Sequence, residues 1–329
     1  MKKLALFCGA ILVAASLLFV ACGKDKEATI KSFFSVQGAT LVAEDMPQAT
    51  SNEEISVVMN QTAIPGGSSY ITVGSDVPAR KILVGMKNQT GYYEVPASAT
   101  RGYSYSFVMM VDQNIALGED QNSFTVQVAI VDENNEISQI WESPVELKVV
   151  GTGALQISLS FDNAKDVDLH LIEPEYLYED GEPVDFYERH IYYGNHWSAA
   201  GGWLDLDSNP GCSIDNINNE NITYNDSTAY IAPGTYKVYV DLFENCDPSI
   251  ATNYVVTVFY GGNLIASRSG IYDVDAPSTF NPIEEEYVAE NEPFLTFTIG
   301  NTGQKMVKAF EHQPMTQSAI EKEAMAAHK

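Results

Sequence analysis

The stretch Asp166–Pro174 reads DVDLHLIEP. At a period of two, Val167, Leu169 and Leu171 fall on one side of a strand, and Asp166, Asp168 and His170 on the other. The apolar side predicts a half-buried β-strand. The polar side sets a chemical problem, because two carboxylates and an imidazole stand in one row.

The same alternation runs through the chain as far as Gly300. It is clear in YSYSFVMMV (Tyr103–Val111), FTVQVAIV (Phe124–Val131), LQISLSF (Leu155–Phe161), TYKVYVDLF (Thr235–Phe243), YVVTVFY (Tyr254–Tyr260) and FLTFTIG (Phe294–Gly300). Turn residues punctuate these runs: DENN after Val131, APG before Thr235, GGN after Tyr260. Short, evenly spaced strands of this kind predict an all-β chain built from two β-sandwiches. The first, of immunoglobulin-like size but without the cysteine pair of antibody domains, spans residues 28–150. The break VGTGA (Val150–Ala154) precedes a second sandwich over residues 153–300. From residue 301 to 329 the pattern is lost. Ser318 and Glu321 form a capping box there, which suits a short helical or a disordered tail.

The first residues read as an address. Lys2 and Lys3 precede an apolar run from Leu4 to Val20, which predicts a secretory signal over residues 1–21. LLFVAC (Leu17–Cys22) resembles the lipobox of bacterial lipoproteins. That resemblance implies lipidation of Cys22, a tether over residues 22–27, and an outer-membrane lipoprotein facing the periplasm or the cell surface. The lipid is then the expected membrane contact. The chain has 4 cysteines. With Cys8 in the signal and Cys22 lipidated, Cys212 and Cys246 remain to form a disulfide in an oxidising compartment. The net charge is −26. Such a surface repels nucleic acid and favours cations.

GGWLDLDSNPGC (Gly201–Cys212) repeats the problem of the first stretch, with Leu204 and Leu206 on one face and Asp205 and Asp207 on the other. Like charges opposed across neighbouring strands destabilise them and raise their pKa values. A divalent cation removes the conflict, and oxygen ligands outside the cytoplasm favour Ca2+. Asp205, Asp207 and Asn209 have the D-x-D-x-N spacing of the first half of a calcium loop. Pro210 and Asn216 break the EF-hand pattern. The expected ligands are therefore Asp166, Asp168, Asp205, Asp207 and Asn209, with Asp215 and His170 in supporting positions. His170 is expected to cap the carboxylates by hydrogen bonding. His190 and His196 lie near it in sequence, without zinc-site spacing.

DVDLHLIEP, IYYGN (Ile191–Asn195), GGWLDLDSNPGCSIDNINNENITY (Gly201–Tyr224), APGTYKVYVDLF (Ala232–Phe243) and NYVVTVFYGGNLI (Asn253–Ile265) follow one another in the order of the YfaP-like family. This region, roughly residues 155–268, resembles that family, a domain of unknown function in bacterial periplasmic and surface proteins. The resemblance implies a compact β-sandwich appended to other extracytoplasmic modules and supplies no activity. EYLYEDGEPVDFYERH (Glu175–His190) departs from the family pattern and looks like an insertion.

The insertion is rich in aromatic and acidic residues. Tyr176, Tyr178, Phe186 and Tyr187, with Trp197 beyond it, are candidates for contact with a glycan or with a cell-envelope protein; the alternative is that the rings pack over the end of the sandwich. No G-x-S-x-G elbow, zincin motif or phosphate-cradling loop is present. The expected function is non-catalytic binding or surface assembly around a structural calcium. The alternative is a polysaccharide-binding lipoprotein accessory to glycan uptake, and the third reading is a glycoside hydrolase.

Overall fold

A computed structural model describes residues 29–98, 102–115, 117, 121–224, 229–279 and 283–300. The expected signal segment, Cys22 and the tail from residue 301 lie outside the described residues.

The described chain is almost wholly β. Strands β1 (Phe34–Val36), β2 (Thr40–Val42), β3 (Ser56–Val58), β4 (Thr62–Ala63), β5 (Ser68–Gly74), β6 (Ala79–Met86), β7 (Tyr92–Pro96), β8 (Ser104–Val111), β9 (Ser123–Asp132) and β10 (Trp141–Leu147) come first. They form one sheet in the order β1-β8-β5-β3 and a second in the order β2-β7-β6-β9-β10-β4. Between these sheets lies a core that includes Phe34, Ile71, Val84, Phe107, Val126 and Val128. All are alternate residues of their strands, so the period-two pattern places them inward.

Nine further strands follow: β11 (Leu155–Phe161), β12 (Asp166–Ile172), β13 (His190–Ile191), β14 (Gly202–Leu206), β15 (Asn219–Tyr224), β16 (Gly234–Glu244), β17 (Thr252–Tyr260), β18 (Asn263–Tyr272) and β19 (Leu295–Ile299). Their sheets run β14-β15-β11-β17-β18 and β13-β12-β16-β19. Val167, Leu169 and Leu171 of β12 join Leu155, Ile157, Leu159, Ile222 and Val258 in the second core. Short helix α1 (Glu285–Glu290) packs Val288 near Ile172, Phe186 and Tyr239.

The second face of β11 is also buried. Gln156, Ser158 and Ser160 alternate with its core residues, yet each is buried. The first sandwich covers them. Ser160 Oγ accepts the Ser68 amide at 3.1 Å, Gln156 Nε2 donates to the Pro65 carbonyl at 2.7 Å, and Thr257 of β17 donates to the Gly66 carbonyl at 2.7 Å. A patch of Val108, Met110 and Val255 adds apolar contact across the same junction. The two sandwiches thus meet through a face that alternation alone marks as polar, and Gln156, Ser160 and Thr257 form hydrogen bonds across the junction.

The connecting segment is held just as closely. A Cβ on Gly153 would lie 1.8 Å from the carbonyl oxygen of Tyr224, so only glycine lets the chain pass there.

Candidate metal centre

β13 pairs with β12 only at Leu171 and Ile172, so the Asp166–Leu169 half of β12 has a strand neighbour on the β16 side alone. Side chains from the opposite sheet reach this open edge. Glu220 lies on β15, on the same period-two face as Ile222 and Tyr224, and is 1 % exposed. Its Oε2 accepts the Leu169 amide at 2.6 Å, replacing a missing strand partner. Its Oε1 is buried with no hydrogen-bond partner.

Carboxylates gather around Glu220. Asp168, Asp207 and Glu220 each offer an oxygen within 4.8 Å of the other two. Calcium bonds oxygens at about 2.3–2.6 Å, so one ion among these three oxygens is within reach of all of them. Asp166 adjoins the group. Its Oδ2 accepts the Gly211 amide at 2.6 Å, while its Oδ1 is buried and unpartnered, as is Oδ1 of Asp207. A second trio, Asp168, His170 and Asp241, likewise offers one donor atom each within 4.8 Å of the others and shares Asp168. Asp168 and Asp241 are directly opposed across β12 and β16.

The electrostatics follow from this crowding. Burial, with repulsion from Asp207 and Glu244, pushes Asp166 up to about 7. Burial and then repulsion from Asp166, Asp207 and Asp241 hold Asp168 well above the usual carboxylate range. Glu220 is driven well up by burial and then by Asp168 and Asp207. Burial also raises Asp207, with His196 partly opposing it, and raises Asp241. Lys165, next to Asp166 in the chain, turns its ammonium to the Ile250 carbonyl at 2.7 Å. Without a cation, then, the cluster is a set of buried acids that resist ionisation.

Three of the expected ligands are therefore brought together: Asp166, Asp168 and Asp207. Two are not. Between Leu204 and Leu206 the β14–β15 register slips by one residue. That bulge breaks the alternation, and Asp205 leaves the face of Asp207. Asp205 Oδ1 accepts Asn221 Nδ2 at 2.7 Å, and its Oδ2 accepts the amide of Gly151 in the connecting segment. Burial first, offset by these bonds, puts its pKa at about 6. Asn209 staples the loop after β14. It sits at φ 63°, its Nδ2 donates to the Lys165 carbonyl and to Asn218 Oδ1 (2.9 Å each), and its Oδ1 accepts the Asp215 amide at 2.9 Å. Asp215 likewise closes the loop, accepting Ser208 Oγ and the Ile217 amide at 2.8 Å each. The D-x-D-x-N stretch thus runs from the end of β14 into a wound loop, whose later Gly211 amide bonds Asp166, and its side chains do not converge on one point.

The expected disulfide is present between Cys212 and Cys246. It joins the loop after Asp207 to the segment following β16, close to the cluster. His170 departs from expectation. It is 0 % exposed, its Nδ1 meets His190 Nε2 at 3.0 Å, and its Nε2 has no partner. It therefore does not cap the carboxylates by hydrogen bonding. Burial lowers His170 well below the usual range and His190 to about 3, so both rings are neutral.

Most of the insertion's rings are packing residues. Tyr176 is buried with Val184 and Ala232 and donates to Glu173 Oε2 at 2.7 Å. Phe186 packs with Ile172, Tyr239 and Ile283. Tyr178 bonds Glu188 Oε1 at 2.7 Å. Trp197 stacks on Trp203 with centroids 4.6 Å apart. Tyr187 is 61 % exposed. Glu173 itself is a buried carboxyl held by Tyr176, Tyr224 and Ser198, and burial raises it to about 7.

Two cluster members, Glu220 and Asp241, escaped the sequence reading. NENITY carried a signal for the first, since a glutamate stands on the apolar face of Ile222 and Tyr224. Asp241 becomes visible only once the β12–β16 register is known.

No family model matches the chain, and no curated protein matches it. Solved structures do match. The SrpA adhesin from Streptococcus sanguinis is 14 % identical, with a TM-score of 0.22 over 32 % of this chain and 60 % of that one. Fibronectin(III)-like modules of Clostridium thermocellum CbhA are 10 % identical, with a TM-score of 0.18 over 66 % of this chain and 92 % of theirs. BcpA, the major pilin subunit of Bacillus cereus, is 12 % identical, with a TM-score of 0.19 over 57 % and 59 %. The chain thus spans about 60 % of the first structures it matches.

Proposed function

We propose that the protein is a lipid-anchored cell-envelope module that binds or assembles without catalysis, and that a calcium ion rivets the two sheets of its second sandwich. The observation that carries the cation is the trio of Asp168, Asp207 and Glu220, drawn from facing sheets, with buried oxygens of Asp207 and Glu220 left without partners. An unpaired buried polar group costs about 1–3 kcal/mol, and several such oxygens at one point would be relieved together by one divalent ion. All three donors are oxygens, which suits calcium at an affinity of order 10⁻⁴–10⁻³ M, as in extracellular modules.

The anchor rests on LLFVAC and Cys22, and the likeness to the YfaP-like family supports an appended envelope module. Burial of the carboxylates argues against glycoside hydrolysis, because Asp168 and Glu220 are closed to a sugar ring. Exposed Tyr187, near the stacked Trp197 and Trp203 in sequence, favours polysaccharide binding as the second reading. The test is thermal unfolding of the EDTA-treated chain against added calcium. A rising midpoint supports the reading, and a midpoint unmoved through millimolar calcium rejects it. A glycan array, with Tyr187→Ala as control, tests the second reading.

A further inference from the structure

The second trio shares only Asp168 with the calcium position, and its third donor is nitrogen. Three observations set it apart. Asp168, His170 and Asp241 are buried, and each offers one donor atom within 4.8 Å of those of the other two. Asp241 Oδ2 and His170 Nε2 are both buried without partners. His170 Nδ1 is already engaged by His190 Nε2 at 3.0 Å, so Nε2 is the nitrogen left to offer.

We propose a second metal position, formed by Asp168, His170 and Asp241, that takes a borderline transition-metal ion of the zinc class and is bridged to the calcium position through the Asp168 carboxylate. A mixed nitrogen–oxygen donor set favours such an ion, whereas the oxygen-only trio favours calcium. When His170 donates its Nδ1 hydrogen to His190, its Nε2 is left as a bare lone pair. That is the usual second contact of a metal-bound histidine, which fixes its tautomer and ring orientation. His190 would therefore act as a positioning residue, itself held by stacking on Tyr192 with centroids 4.1 Å apart. The two positions do different work. Calcium would join β12 to the opposite sheet, while zinc would pin β12 to β16 within one sheet.

This inference rests on the proposed cation site only through Asp168, and the experiment separates the two. The full chain is stripped with chelator, saturated with millimolar calcium, and titrated with zinc by calorimetry. In parallel, histidine-labelled wild-type chain is followed by nitrogen NMR. The expected result is one zinc per chain bound alongside calcium, with the Nε2 resonance of His170 moving to a metal-bound position. His170→Gln and, separately, Asp241→Asn should weaken zinc at least tenfold and leave the calcium-induced rise in unfolding midpoint in place. The NMR readout uses the wild-type chain, so it does not depend on either variant folding. Zinc that merely displaces calcium one for one overturns the inference, as does zinc binding that leaves His170 Nε2 unmoved. Zinc bound through His170 in a chain that calcium does not stabilise would support this inference and reject the calcium reading.

Discussion

Glu220→Gln should act in opposite directions in chelator and in calcium. The amide oxygen can keep the bond to the Leu169 amide, now 2.6 Å. The new NH2 replaces an oxygen that has no partner and faces Asp168 and Asp207. In EDTA the wild-type cluster is a crowd of buried acids with no cation to hold them together. Relief of one unsatisfied buried group should stabilise E220Q by about 1–3 kcal/mol. At about 2–4 °C per kcal/mol for a unit of this size, a mid-range gain of about 2 kcal/mol raises the midpoint by about 4–8 °C. Calcium reverses the balance. With Kd of order 10⁻⁴–10⁻³ M, about 10 mM calcium stabilises the wild type by about 1.4–2.7 kcal/mol. E220Q, with one donor of the trio removed, should gain only a few tenths of that. Scanning calorimetry of both chains, with EDTA and then with calcium, gives the four midpoints. If E220Q is the less stable chain in EDTA, or if both chains respond alike to calcium, Glu220 is neither repelled nor a ligand.

Acidification should stabilise the cation-free protein. Asp166 and Glu173 both stand at about 7 in the fold, against ordinary values of 3.8 and 4.5, so the native state binds more protons than the unfolded one between those limits. Stability then falls as pH rises through that window; a midpoint in EDTA that climbs from pH 5 to pH 8 refutes this. For the same reason apparent calcium affinity, measured by calorimetry, should drop as pH falls below about 7. Cys212→Ser with Cys246→Ser opens a link spanning 34 residues; loop entropy predicts a loss of about 3–4 kcal/mol, and calcium should bind more weakly because the Gly211 amide no longer steadies Asp166. Phe186→Ala should cost about 3–5 kcal/mol in urea unfolding, whereas Tyr187→Ala should stay within about 0.5 kcal/mol, since only the first ring is buried.

Alternation in the sequence settled which side of each strand faces a core. Val167, Leu169 and Leu171 lie where period two puts them, and Cys212 meets Cys246. It also marked Asp166, Asp168 and Asp207 as an electrostatic problem needing a solution. Period two carries no information on which strands are neighbours or in what register. The opposition of Asp168 and Asp241 arises from the β12–β16 pairing, and Glu220 arrives because β13 leaves half of β12 uncovered. A single bulge at Asp205 undoes the alternation that joined it to Asp207, and no local residue preference announces that slip. The polar face of β11 reads as solvated in any one-strand view, yet the neighbouring sandwich buries it and bonds Gln156 and Ser160. The sequence by itself determined strand, face and disulfide, because these depend on local chemistry and on the one cysteine pair left once Cys8 and Cys22 are assigned to the expected signal and lipid anchor. The tertiary structure alone decided which acids share a site, because that depends on register and on backbone edges left open far apart in the chain.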